Sequence, residues 1–130
     1  MKSPAHPVLA ALLAGGALLS TALPTFAAPQ AALEISIGGI GPGVDATAFK
    51  KVKLLLAEAL YSGTIDYFDV LGYGKEGGFS ACVEQGQFAV AGSFDRLARQ
   101  LKQIKPNPNT TAYSVEAVAQ CTYPVADPAQ

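Results

Sequence analysis

Residues 64–84 read TIDYFDVLGYGKEGGFSACVE, and this stretch decides the fold. Residues 64–73 form one run rich in β-branched and aromatic side chains, and residues 79–84 (FSACVE) form a second. Gly74-Lys75-Glu76-Gly77 lies between them with the composition of a turn, so the stretch predicts a β-hairpin. Working toward the N-terminus, Asp45 is positioned to cap a helix from Ala46 to about Tyr61. Phe49, Val52, Leu56 and Ala59 or Leu60 fall on one stripe of that helix, and Leu54 and Leu55 widen it. Lys50, Lys51, Lys53 and Glu58 mark its wet side, and Ser62-Gly63 ends it. Residues 33–37 (LEISI) alternate apolar and polar, the pattern of a half-buried strand, and GGIGPG at 38–43 is a flexible turn.

Working toward the C-terminus, Gly86 either bulges the hairpin's second strand or turns it into a short extension, Phe88 to Ala91. Ser93 is expected to cap a second helix running to about Ile104, with Phe94, Leu97, Ala98, Leu101 and Ile104 as its buried stripe. Lys105-Pro106-Asn107-Pro108-Asn109 forms a stiff connection, because proline cannot continue a helix. Residues 113–119 (YSVEAVA) make the last strand. The order β-α-β-β-α-β predicts an α+β, ferredoxin-like two-layer sandwich, with both helices on one face of an antiparallel sheet. The domain is expected over 33–121, with flexible segments at 28–32 and 122–130.

The chain starts with an address. Lys2 is the only charged residue before Glu34, and Val8 to Leu19 is an apolar run broken afterwards by Pro24. Thr25-Phe26-Ala27 places small residues at −3 and −1 of a cleavage site, so residues 1–27 read as a secretory signal peptide. The run is shorter than the roughly 20 residues a membrane span needs. The processed chain is therefore expected in the periplasm or outside the cell, with no stable membrane insertion. Removing residues 1–27 leaves 103 residues, 49 of them apolar, which is an ordinary globular share. It also removes His6, the only histidine, and leaves a net charge of −2. Without histidine, Ser-His-Asp and Cys-His nucleophile systems cannot form, and histidine-ligated metals and haem are excluded. No metal and no cofactor is expected.

An exported chain with two cysteines, Cys82 and Cys121, most simply forms one disulfide. That expectation conflicts with the simplest topology. Period two places Leu33, Ile35, Ile37, Phe68, Val70, Phe79, Ala81, Val83, Val115 and Ala117 on the helix-covered face. Cys82 then stands on the open face with Ser80 and Glu84, whereas Cys121 shares the parity of Val115 and Ala117. In the ferredoxin-like order the third and fourth strands are also separated by the first. Two strand spacings are about 9.6 Å, beyond the roughly 7 Å Cα separation of a disulfide. Either Cys121 lies past the strand end and curls over, or a bulge intervenes, or the strand order differs.

Three patterns bear on chemistry. The GGIGPG turn fails the dinucleotide fingerprint, because Val44 stands where the third glycine belongs. Asp45 would also repel an anion at the helix N-terminus that follows. Asp66, Asp69, Glu76 and Glu84 surround the hairpin, and two of them in a cleft would suit glycoside hydrolysis. A solvated acidic edge is the default reading. The helices carry Lys50, Lys51, Lys53, Arg96, Arg99, Lys102 and Lys105 against only Asp45, Glu58 and Asp95, which predicts a basic helix layer.

The open sheet face is expected to show Tyr67, Leu71 and Tyr73 together, beside Asp69 and Ser80. Exposed Tyr and Leu next to acids suit a protein or peptide interface. Glu76 sits in its flexible rim, the turn from Tyr73 to Gly78. The expected function is a small exported, non-enzymatic binding module, an envelope accessory or inhibitor-like protein. Its candidate binding residues are Tyr67, Asp69, Leu71, Tyr73 and Glu76, and its partner is a protein or an envelope polymer. Nucleic acid is not expected for a net-negative exported chain. The competing readings are a small carboxylate-dependent hydrolase acting on cell-envelope polymer and a structural domain with no defined ligand.

Overall fold

In a computed structural model, which describes residues 32–122, six elements form in the expected order. They are β1 (Ala32–Gly39), α1 (Ala46–Tyr61), β2 (Ile65–Gly72), β3 (Gly78–Gln85), α2 (Ser93–Gln103) and β4 (Thr111–Val118). The expected signal peptide, residues 28–31 and the tail beyond Thr122 lie outside the described residues. Ala32, expected in the leader, is already in β1 and is buried, because it pairs with both Glu84 and Val118. The fold is α+β: one four-stranded sheet in the order β2-β3-β1-β4, with every neighbouring pair antiparallel.

The period-two pattern of β1 organises the core. Leu33, Ile35 and Ile37 are almost fully buried and pair with Val83, Ala81 and Phe79 of β3. Val52 and Leu56 of α1 and Phe94, Leu97 and Leu101 of α2 join the same cluster. Full burial of such a side chain contributes on the order of 2 kcal/mol. α1 buries Ala48, Val52, Leu56 and Ala59, so its stripe is narrower than its leucine content suggests. Leu54 is 58% exposed and Leu60 39% exposed. β2 lies at the edge of the sheet and adds only Ile65 to the core. Phe68 and Val70 point to the core side, in register with Val83 and Ala81, yet remain exposed. Their residue type fits a covered face, and their edge position leaves it uncovered.

Asp45 caps α1 as expected. Its Oδ1 accepts hydrogen bonds from the Thr47 and Ala48 N–H groups, each at 3.0 Å. Two expectations around α2 need correction. The first concerns Ser93, which does not cap the helix: the N-cap is Gly92, in the left-handed conformation at φ +76°. The Gly92 carbonyl already accepts the Arg96 N–H at 3.1 Å, so the helix opens one residue early and carries Ser93 into its first turn. The second concerns Phe88 to Ala91, which is no strand extension. The Gly86 and Gln87 N–H groups go to the Thr64 carbonyl and the Asp66 carboxylate, and two turns follow, closed by Ala89 N–H to Gly86 and Ser93 N–H to Val90. The irregularity expected at Gly86 instead falls on β2, between Ile65 and Tyr67.

The disulfide and the strand order coexist. β1 separates β3 from β4, and Cys82 and Cys121 are nevertheless bonded with a Cα–Cα distance of 5.7 Å. Of the three resolutions, the first holds: β4 ends at Val118, and the chain crosses to β3 over the open face. The Cys121 N–H donates to the Glu84 carboxylate at 2.9 Å. Strand parity ceases to apply after Val118, so Cys121 is released from the side it would take in a longer strand.

Candidate functional site

The β2–β3 register builds the open face. Tyr67 pairs with Glu84, Asp69 with Cys82 and Leu71 with Ser80. Side chains alternate across a strand, so these six stand opposite the core face formed by Leu33, Ile35 and Ile37. β1 adds Glu34 and Ser36, and β4 adds Ser114 and Glu116 directly across from them. Glu34 and Glu116 are both exposed and face each other, an arrangement that repels in isolation. Four carboxylates, Glu34, Asp69, Glu84 and Glu116, therefore share a face to which the four strands contribute no lysine or arginine.

The five candidate residues are only partly brought together. Tyr67, Asp69 and Leu71 line one strand; Leu71 is exposed, and Tyr67 and Asp69 are half-buried. Tyr73 departs from the expected exposure. It folds back over the sheet, and its hydroxyl hydrogen-bonds Ser80 and, at 2.9 Å, Ser36. The ring occupies space left by the missing side chain of Gly38, where a Cβ would lie 2.8 Å from a ring carbon. Tyr73 thus closes one end of the open face. Glu76 is exposed at the hairpin turn, and that rim is tied down. The Glu76 and Gly77 carbonyls accept the Val44 and Gly39 N–H groups, each at 3.1 Å.

The four hairpin acids do not converge. Asp66 sits at the β2 irregularity and accepts the Gln87 N–H at 3.0 Å. Glu84 is engaged by Cys121, Asp69 shares its face, and Glu76 lies at the far turn. The anion position at the start of α1 is filled by the chain's own Asp45. Its second carboxylate oxygen accepts the Asn107 N–H at 3.0 Å, and its own N–H donates to Thr111 Oγ1 at 2.7 Å. The bonds from Ala48 and Asn107 hold the Asp45 pKa below its ordinary 3.8.

Sequence reading missed two surface features. A groove of about 520 Å³ runs beside β4, lined by Lys102, Ile104, Lys105, Thr111, Tyr113 and Val115 among others. The Tyr113 hydroxyl donates to the Leu101 carbonyl at 2.8 Å, and burial pushes its pKa up to about 12. The groove arises where the proline-containing connection meets an edge strand, a meeting with no local sequence signature. The second feature is the exposure of three apolar side chains, Tyr61 at the end of α1 and Phe88 and Val90 on the β3–α2 connection. The glycines flanking Phe88 and Val90 were the available sign of a turn. Compared with known proteins, the chain matches no family, no curated protein and no solved structure.

Proposed function

We propose that the protein is a small exported, non-enzymatic binding module whose open sheet face receives a protein or peptide partner. The carrying observation is the grouping of Glu34, Asp69, Glu84 and Glu116 with Tyr67 and Leu71, on a face to which the strands add no cation. A partner segment with basic and apolar side chains complements it, since opposite potentials speed encounter and apolar contact slows release. The fold reading that accompanies this is the ferredoxin-like split, with both helices on the other face. The strand order β2-β3-β1-β4 and the shared core of α1 and α2 support it. Export is supported by the basic, apolar and small-residue organisation of residues 1–27, and the Cys82–Cys121 disulfide is compatible with it.

The test is capture from periplasmic or culture extract with the immobilised exported protein, followed by affinity measurement on the purified partner. Leu71→Asp and the double charge reversal Glu34→Lys/Glu116→Lys should each weaken binding roughly tenfold or more. Lys51→Glu on α1 should leave it unchanged. Equal capture by all variants would remove the open face from the function.

A further inference from the structure

β4 is an edge strand that uses one of its two sides. It pairs with β1 from Ala32 opposite Val118 to Gly39 opposite Thr111, and no strand among the described residues pairs with its other side. One further bond settles which main-chain groups face outward. The Ile40 N–H donates to the Thr110 carbonyl at 2.9 Å, just past the last pair of that register. Bonded pairs alternate in an antiparallel ladder, so Ala112, Ser114 and Glu116 turn their N–H and C=O groups to β1. Tyr113, Val115 and Ala117 turn theirs away from the sheet. The opposite edge, β2, carries a register irregularity between Ile65 and Tyr67, a feature that blunts an edge. β4 keeps an unbroken register and contains neither proline nor lysine.

A groove follows this outward edge. The cavity of about 520 Å³ takes in Thr111, Tyr113 and Val115, and a second of about 230 Å³ takes in Ala117. Lys102 lines both, so together they run along β4 between the strand and α2. A site one strand long suits an extended chain. Its walls are held in place: the Tyr113 hydroxyl donates to the Leu101 carbonyl, and the Asn107 carbonyl accepts the Thr110 and Thr111 N–H groups. Such preformation lowers the ordering cost of binding. Ile104, Pro106, Tyr113 and Val115 are half-buried and give the groove an apolar floor. Charge then selects the occupant. Asp95, Arg99 and Lys102 recur at four- and three-residue spacing along one flank of α2, and Lys105 follows on the connection. Three cations against one carboxylate complement an acidic segment. A second copy pairing β4 to β4 would bring its own Lys102 and Lys105 to the same interface, like charge against like.

We infer that the free edge of β4 takes up an extended acidic segment of a partner protein as a fifth strand. The main chain of that segment bonds to the outward groups of Tyr113, Val115 and Ala117. An apolar side chain lies over Ile104 and Tyr113, and carboxylates meet Arg99, Lys102 and Lys105. Main-chain bonds supply affinity, and the groove supplies the choice of sequence. This site is separate from the open sheet face, whose own charge is acidic, and it does not depend on the reading of that face.

The probe is a fluorescein-labelled, end-blocked peptide, Thr-Asp-Thr-Val-Thr-Asp-Thr, which puts its valine and both carboxylates on one side of a strand. Its anisotropy is followed as the exported protein is added at low salt. Saturable binding is expected, and the same peptide with Lys in place of Asp should bind at least roughly tenfold more weakly. Lys102→Glu/Lys105→Glu should weaken uptake of the acidic peptide roughly tenfold or more. Lys53→Glu/Lys75→Glu makes the same charge change away from the groove, and it should bind like the wild type, as should Leu71→Asp. Val115→Pro removes an N–H that faces away from β1, which an edge strand tolerates, and should also weaken binding roughly tenfold. An unchanged circular dichroism spectrum verifies that each variant folds. Should Val115→Pro not fold, the acidic peptide N-methylated at its three central residues tests the same bonds and should fail to bind. The inference is overturned if the acidic peptide does not bind, if the basic peptide binds as tightly, or if the reversal at Lys102 and Lys105 has no effect. It is equally overturned if a folded Val115→Pro protein or the N-methylated peptide binds normally. Concentration-dependent self-association lost in Val115→Pro, without peptide uptake, would assign the edge to a second copy instead.

Discussion

Ser93 shows how one residue's role turns on a single backbone angle. Its hydroxyl oxygen is buried with no hydrogen-bond partner among the described residues. Leaving a buried hydroxyl unpaired costs about 1–3 kcal/mol, and alanine is the better helix former. Ser93→Ala is therefore expected to stabilise the protein by about 1 kcal/mol in urea unfolding. A capping serine would give the opposite sign, a loss of about 1 kcal/mol, so the direction alone decides. The sequence placed serine at a helix start but did not show that Gly92, at φ +76°, opens the helix first. Tyr73 teaches the same lesson. Period two puts it on the open face, and there it lies, but its hydroxyl finds Ser36, far away in sequence. Leu71, two residues earlier, has no such partner group and stays exposed as expected.

Among the elements, α1 has the most consequential cap. Asp45 satisfies two N–H groups of the first turn and also holds the α2–β4 connection through Asn107. Its folded pKa is lowered, so the ionised form is favoured by folding. The resulting stabilisation is fully present above the ordinary value of 3.8 and is lost as pH falls through the lower folded value. Urea midpoints measured from about pH 5 down to about pH 2 should fall more steeply for the wild type than for Asp45→Asn, which keeps an acceptor without the charge. Equal slopes would remove Asp45 from the acid response. The helices and strands were legible because their apolar residues recur with a helical or an alternating period, as in LEISI at 33–37. The Phe88–Ala91 segment was not. Its apolar residues resemble a strand, and only the diversion of Gly86 and Gln87 to the α1–β2 side turns them outward.

At the scale of the whole molecule, the disulfide joins β3 to the segment that follows β4, although β3 and β4 do not pair. It closes a separation of 39 residues, which on the chain-entropy model stabilises the fold by about 4 kcal/mol. Urea unfolding with and without reductant should show a loss of that order, matched by Cys82→Ser/Cys121→Ser. A loss below about 1 kcal/mol would mean that the crossing segment adds little to the fold. The same crossing shapes the open face, since its Cys121 N–H engages Glu84 among the carboxylates Glu34, Asp69, Glu84 and Glu116. The sequence by itself determined the six elements, the face to which the alternating apolar residues of the strands turn, and the pairing of its two cysteines as the simplest use of them. These depend on residue type and short-range periodicity, which a linear chain carries in full. The tertiary structure alone decided which strands lie at the edges, how Cys121 reaches Cys82 across β1, and that Tyr73 closes one end of the open face. Each of these is a meeting of residues distant in sequence, set by loop geometry and edge position, and no local pattern encodes it.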